Sequence, residues 1–286
     1  MYTEFLLIIT AVIWLIFASI TDIKSREVPD WISFSLIIIS ISLLLINSVN
    51  QNNFKLLIAP LIYGLIFTAI SFVMYYTKQW GGGDTKLLIP LGIIFSSYPE
   101  ILSNYFTPIL NLPFPVIILI NLLVIGTIYS LLYAFYLAVK NKNIFLKEFR
   151  KQQLKKAKII SIILVVVLII LSTQFEYPRN MLMIFLSIIV LVTPFLISAV
   201  KSVEKSCMIQ KVSVNNLTEG DWIAENIYHN NKLILNKHNL GLTKKQITMI
   251  KKYKKEILVK TGIPFVPSFL VTIIISLIFG NLFIPF

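Results

Sequence analysis

Runs of Ile, Leu, Val and Phe long enough to cross a membrane recur from one end of this chain to the other, and they limit its fold severely. A helix needs roughly 17–25 apolar residues to span the hydrocarbon of a bilayer. It also satisfies its own backbone hydrogen bonds there, which an open strand cannot. About eight segments qualify: 4–21, 31–47, 55–77, 86–103, 114–139, 158–174, 181–200 and 263–284. The fourth is the least regular, because Pro90, Pro99, Ser96 and Ser97 interrupt it. Only 14% of the 286 residues are charged, where a soluble domain has about a quarter. The expected fold is an all-α polytopic membrane protein. Phe5–Ile20 has no basic stretch before it and no small-residue cleavage site after it, so it is expected to stay as a helix.

Lys and Arg set the orientation. With the N-terminus outside, the inner connections are 22–30, 78–86, 140–158 and 201–262, and they hold 24 of the 26 basic residues. The outer segments hold Lys55 and Arg179. Basic loops stay on the cytoplasmic side, which places both termini outside a plasma membrane. The net charge of +13 is then accounted for by anionic lipid beside a basic face, with no nucleic acid required. The run "KNKNIFLKEFRKQQLKKAK" at 140–158 reads as an amphipathic linker against lipid, or as a docking surface.

Residues 201–262 do not read as membrane. Short alternating strands at 208–214, 221–228 and 232–236 are broken by the turn signals "EGD" and "HNNK". Thr243 with Gln246 three residues later is a capping box opening a helix at 243–254, and "EILVK" is a last strand. The expected organisation is a membrane core at 1–139, a basic linker with two further helices at 140–200, a small cytoplasmic α+β domain at 201–262, and a final helix at 263–286. His229 and His238 have no Cys or carboxylate at ligand spacing, and Cys207 is the single cysteine. No metal or other cofactor is expected.

The chemistry must come from few acids. The chain has four aspartates, Asp22, Asp30, Asp84 and Asp221. Asp22 ends the first span and Asp84 precedes the fourth, so both fall at the cytoplasmic edge. Two carboxylates at one depth can share a proton; the ionised one draws a proton from water while the protonated one donates to a carbonyl oxygen. That cleaves an amide without a covalent intermediate. The three glycines before Asp84 in "WGGGDTK" fit close approach of an extended peptide, or simply a flexible turn.

"DIKSREVPD" at 22–30 and "GGGD" at 81–84 resemble the D-x-x-x-R-x-[IV]-P-[ND] and G-x-G-D motifs of the type IV prepilin peptidase family, which includes the archaeal preflagellin peptidases. The resemblance implies a membrane aspartic endopeptidase with Asp22 and Asp84 as its catalytic pair and Gly81 and Gly83 as motif glycines. It implies pilin-like or archaellin precursors as substrates, whose short charged leaders are removed at the cytoplasmic surface. The cysteine-rich loop of the bacterial methylating members is missing, so cleavage without N-methylation is expected. The region 208–262 resembles the extra C-terminal domain of archaeal members. Arg26, one turn past Asp22, is expected either to tune its charge or to anchor the helix. Lys86 is expected to snorkel or to hold a leader carboxylate, Asp30 to cap the second helix, and Trp80 to anchor at the interface.

Two other classes remain open on sequence. A G-x-G-D intramembrane protease of the signal-peptide-peptidase kind would carry a Tyr-Asp motif, and this chain has no such dipeptide. An ion or proton carrier using the same aspartates would show inverted repeats and mid-membrane polar groups, and neither is found.

Overall fold

The computed structural model describes residues 2–152, 154–229, 232–237 and 239–282. Its helices are α1 (Tyr2–Ser25), α2 (Asp30–Asn50), α3 (Ile58–Tyr76), α4 (Gly82–Ile94), α5 (Phe114–Lys140), α6 (Lys142–Lys151), α7 (Lys155–Ser172), α8 (Arg179–Val203), α9 (Lys244–Lys251) and α10 (Val266–Phe279). The strands are β1 (Ile209–Ser213), β2 (Trp222–Ile223), β3 (Ile227–His229), β4 (Lys232–Leu235) and β5 (Glu256–Lys260).

Each of the expected apolar segments contains a helix, but the count of eight spans is not reproduced. Among the described residues five helices are long and apolar enough to cross a membrane: Tyr2–Ser25, Asp30–Asn50, Phe54–Tyr76, Phe114–Lys140 and Arg179–Met208. The fourth expected span breaks in two. α4 stops at Ile94, and after "FSSYP" a short 3-10 turn, Glu100–Asn104, follows. At 13 and 14 residues, α4 and α10 rise about 20 Å, well short of the ~30 Å hydrocarbon core. α7 begins with Lys155, Lys156 and Lys158, which leaves a shorter apolar stretch.

Short helices are the buried ones here. α4 buries Leu87, Leu88, Leu91, Gly92, Ile93 and Ile94, and it packs against α1, α2 and α3. A Cβ on Gly92 would lie 2.5 Å from Phe67 Cγ, so only glycine lets α3 and α4 approach this closely. α10 adds Phe269, Ile273 and Leu277 to the same core as Leu15, Leu88 and Ile117. By contrast α7 and α8 pack mainly on each other, with long apolar faces left for lipid.

The α+β region follows the sequence closely. β1, β5 and β2 form an antiparallel sheet in the order β1-β5-β2, and β3 pairs with β4 as a hairpin. α9 opens on the expected capping box: Thr243 Oγ1 accepts the Gln246 N–H at 3.3 Å, and Gln246 Oε1 accepts the Thr243 N–H at 2.9 Å. Val214, Ile223, Leu235, Ile250 and Val259 belong to a core of its own. The His229 ring lies 4.1 Å from that of Tyr253, tilted by 33°. His238, part of the "HNNK" turn and the end of the last expected span lie outside the described residues.

Candidate active site

α1 runs on to Ser25, so Asp22 sits in its last turn. Arg26 N–H then donates to the Asp22 carbonyl at 2.9 Å, and Arg26 takes a φ of +61°. That conformation is costly for a side-chain-bearing residue, yet it turns the chain sharply into Pro29 and α2. Asp22 itself is only 6% exposed. Around it Ala18, Val28, Ile32, Leu87 and Val266 form an apolar cluster drawn from five separate stretches of chain. Its Oδ2 accepts the main-chain N–H of Val266, at the start of α10, at 2.9 Å.

Asp84 is placed by a different device. It is the third residue of α4, and its Oδ2 reaches back to accept the N–H of the N-cap residue, Gly81, at 3.0 Å. Thr85 Oγ1 closes the same turn on the Gly81 and Gly82 carbonyls at 3.1 and 2.9 Å. A carboxylate in the first turn also complements the positive end of the helix. The two motif turns lie against each other, since a Cβ on Gly83 would meet Val28 at 2.9 Å, and the charge of Asp22 acts on Asp84.

The glycines have a local reason. A Cβ on Gly83 would meet Val28 Cβ at 2.9 Å, so Gly83 lets the start of α4 lie against the turn that follows Asp22. This is a packing reason for glycine at 83, beside the expected close approach of an extended peptide. Gly81 contributes its amide to Asp84.

Two expectations change. Asp30 does not cap α2; Pro29 holds the N-cap position without a side-chain cap bond, and Asp30 pairs with Lys86. Lys86 thus has a carboxylate partner within the chain, although such an exposed pair contributes little, ~0–1 kcal/mol. Trp80 is buried, not interfacial, and packs on Phe265 and Phe269 at 5.8 and 5.6 Å. The charge of Arg26 acts on Asp22, while its guanidinium bonds the Tyr133 hydroxyl and lies over that ring at 5.2 Å.

Two participants were missed on sequence. Tyr129 of α5 lies within electrostatic reach of Asp22 and stacks with Tyr133, which meets Tyr136 in turn. Their spacing of four and three marks one helix face, a signal that was available. The Val266 amide has no side-chain signature at all. Asp221 stays apart from the pair: its Oδ2 accepts the Thr218 N–H at 2.8 Å, and burial pushes its carboxyl above the usual range.

Residues 9–138, which hold both motifs, match the type IV leader peptidase family. This segment of the chain belongs to that family. Among curated relatives, the preflagellin peptidase of Methanococcus maripaludis is 31% identical over 111 residues, 37% of this chain and 48% of that protein. The prepilin peptidase EppA of Methanothermobacter thermautotrophicus is 23% identical over 202 residues, 68% of this chain and 52% of its own length. The preflagellin peptidase of Methanococcus voltae is 30% identical over 131 residues, covering 44% of this chain and 54% of that protein. The chain thus spans about half the length of the curated relatives it matches. No solved structure matches it. The leader peptidase segment stops at the end of α5, whereas the amide holding Asp22 comes from α10, well beyond it.

Proposed function

We propose that this chain is a membrane aspartic endopeptidase that removes short charged leaders from pilin-like or archaellin precursors at the cytoplasmic surface, without methylating the new N-terminus. The observation that supports this reading is that the turns carrying Asp22 and Asp84, 62 positions apart in sequence, pack against each other through Val28 and Gly83. One carboxyl accepts a proton from the attacking water while the other gives its proton to the scissile carbonyl oxygen; as the C–N bond breaks, the first passes its new proton to the leaving amine and the second takes one back from the collapsing gem-diol. Two coupled carboxyls titrate as a unit, with apparent values that belong to the pair. A precursor with its apolar helix in the bilayer presents the leader junction at the membrane surface, level with the end of α1. The names of the relatives support the same substrate class.

The test is cleavage of a purified archaellin-like or pilin-like precursor by the chain in detergent. The expected product is a mass shift at the leader junction with no added methyl group, insensitive to chelators. An uncleaved precursor under conditions that preserve the fold counts against the reading.

Orientation has its own test. Single cysteines placed at 150 or 240 in a Cys207→Ser chain are expected to resist a membrane-impermeant thiol reagent in intact cells and to react after lysis. Labelling in intact cells would invert the topology and remove cytoplasmic leaders as substrates.

A further inference from the structure

We propose that the main-chain N–H of Val266 is a positioning group for the carboxyl pair, holding Asp22 ionised as the base and leaving Asp84 as the proton-bearing acid. This rests on the two-aspartate reading above. The asymmetry lies in what each carboxyl meets. Asp22 Oδ2 accepts the N–H of the first residue of a 14-residue helix at 2.9 Å, and that end of a helix carries the positive pole of its dipole. A carboxylate accepting main-chain N–H groups is favoured over its protonated form. Arg26 adds a cation from the end of α1. Asp84 also sits at a helix start, but it accepts one N–H from its own turn, has among the described residues no cation acting on it as Arg26 acts on Asp22, and faces the charge of Asp22.

The titratable groups that face Asp22 are Arg26, Asp84 from α4 and Tyr129 from α5. α10 presents the Val266 N–H to it, and Val28, Ile32 and Val266 pack together with Ala18, one turn before Asp22 on α1.

The donor is held firmly. Phe265, next to Val266, packs on Trp80, the residue directly before the three glycines, and Trp80 also packs on Phe269. Farther along α10, the Asn121 amide donates to Ser276 Oγ and to the Gly280 carbonyl, both at 2.8 Å. Tyr98 donates to the Leu277 carbonyl at 2.8 Å. The α+β region that leads into α10 also touches both motif turns. Thr218 bonds Glu27, and the Leu240 and Asn239 carbonyls accept from Tyr75 and Lys78 at 3.3 and 3.1 Å. A segment outside the family match therefore finishes the site.

The experiment replaces Val266 by its α-hydroxy analogue, so that an ester oxygen stands where the N–H was and the side chain is unchanged. The expected result is a move of the acid limb of the kcat/KM profile to higher pH by about one unit, with the plateau largely kept. An acid limb at the wild-type pH, in a setting where Asp22→Asn is inactive, overturns the inference and leaves the pair standing. An active Asp22→Asn chain brings down both. If the ester chain does not accumulate, the unaltered chain decides. Phe-Val occurs twice, at 72–73 and 265–266, so labelling Phe carbonyl carbon and Val nitrogen isolates two amide resonances, and Val73→Ile tells them apart. The Val266 resonance is expected to shift across the acid limb and to stop shifting in Asp22→Asn. A resonance that ignores pH overturns the proposal.

Discussion

Asp22→Asn and Asp84→Asn are each expected to lower precursor cleavage by roughly 10²–10⁴-fold, the usual contribution of a positioned acid or base. The two losses should not add in the double variant, because base and acid act as a unit and either absence stops the same step. Asparagine is the informative replacement: it keeps the size and still accepts a hydrogen bond, so the Val266 N–H retains a partner at 22 and the Gly81 N–H at 84. Titration alone is removed. Expression and thermal unfolding should stay near wild type, because replacing one of two coupled carboxyls by an amide removes no packing. Cleavage by either single variant at the wild-type rate would sink the two-aspartate mechanism. Asp30→Asn and Asp221→Asn serve as controls, since Asp30 is spent on an exposed pair with Lys86 and Asp221 on the Thr218 turn.

Much of this arrangement was legible in the residues because membranes restrict the alternatives. Apolar runs become helices in hydrocarbon whatever their neighbours do, and Thr243 with Gln246 marked α9 through chemistry confined to four residues. Asp22 and Asp84 stood out because so few acids compete with them. What the sequence hid was long-range and carried by backbone. Nothing in "GIPFVP" says that its amide will reach a carboxyl 244 positions away. Span counting failed for a related reason: much of the apolar surface of α4 and α10 is buried against protein, and composition alone cannot distinguish a helix face covered by protein from one covered by lipid. Trp80 misled in the same way. Aromatic residues near a polar boundary are commonly interfacial, but this one is covered by Phe265 and Phe269 from a distant segment.

The three glycines of the second motif should prove unequal, and Gly83→Ala is expected to be the damaging change. Its new methyl would sit 2.9 Å from Val28 Cβ and 3.3 Å from the Val28 backbone nitrogen, closer than real contacts allow, so the start of α4 or the turn after Asp22 must move. Overpacking of this kind costs ~1–3 kcal/mol. A displacement of about 1 Å between reacting groups can alone cost on the order of 10²-fold in rate, so activity should fall further than stability does. Gly82→Ala has its nearest neighbour, Tyr75 Cε2, at 3.8 Å; it is expected to cleave normally and to gain a few tenths of a kcal/mol from reduced freedom of the unfolded chain. Gly81→Ala falls between them. Its φ of −71° suits any residue, but the methyl would press on Asp84 Oδ2 at 3.2 Å. Restoring space from the other side makes the test specific: Val28→Gly added to Gly83→Ala should recover much of the lost cleavage, although Val28→Gly alone removes packing around Asp22. If Gly83→Ala cleaves as well as Gly82→Ala, the motif glycine is not there to seat α4 against the Asp22 turn, and access for the substrate backbone becomes the better account of "GGGD".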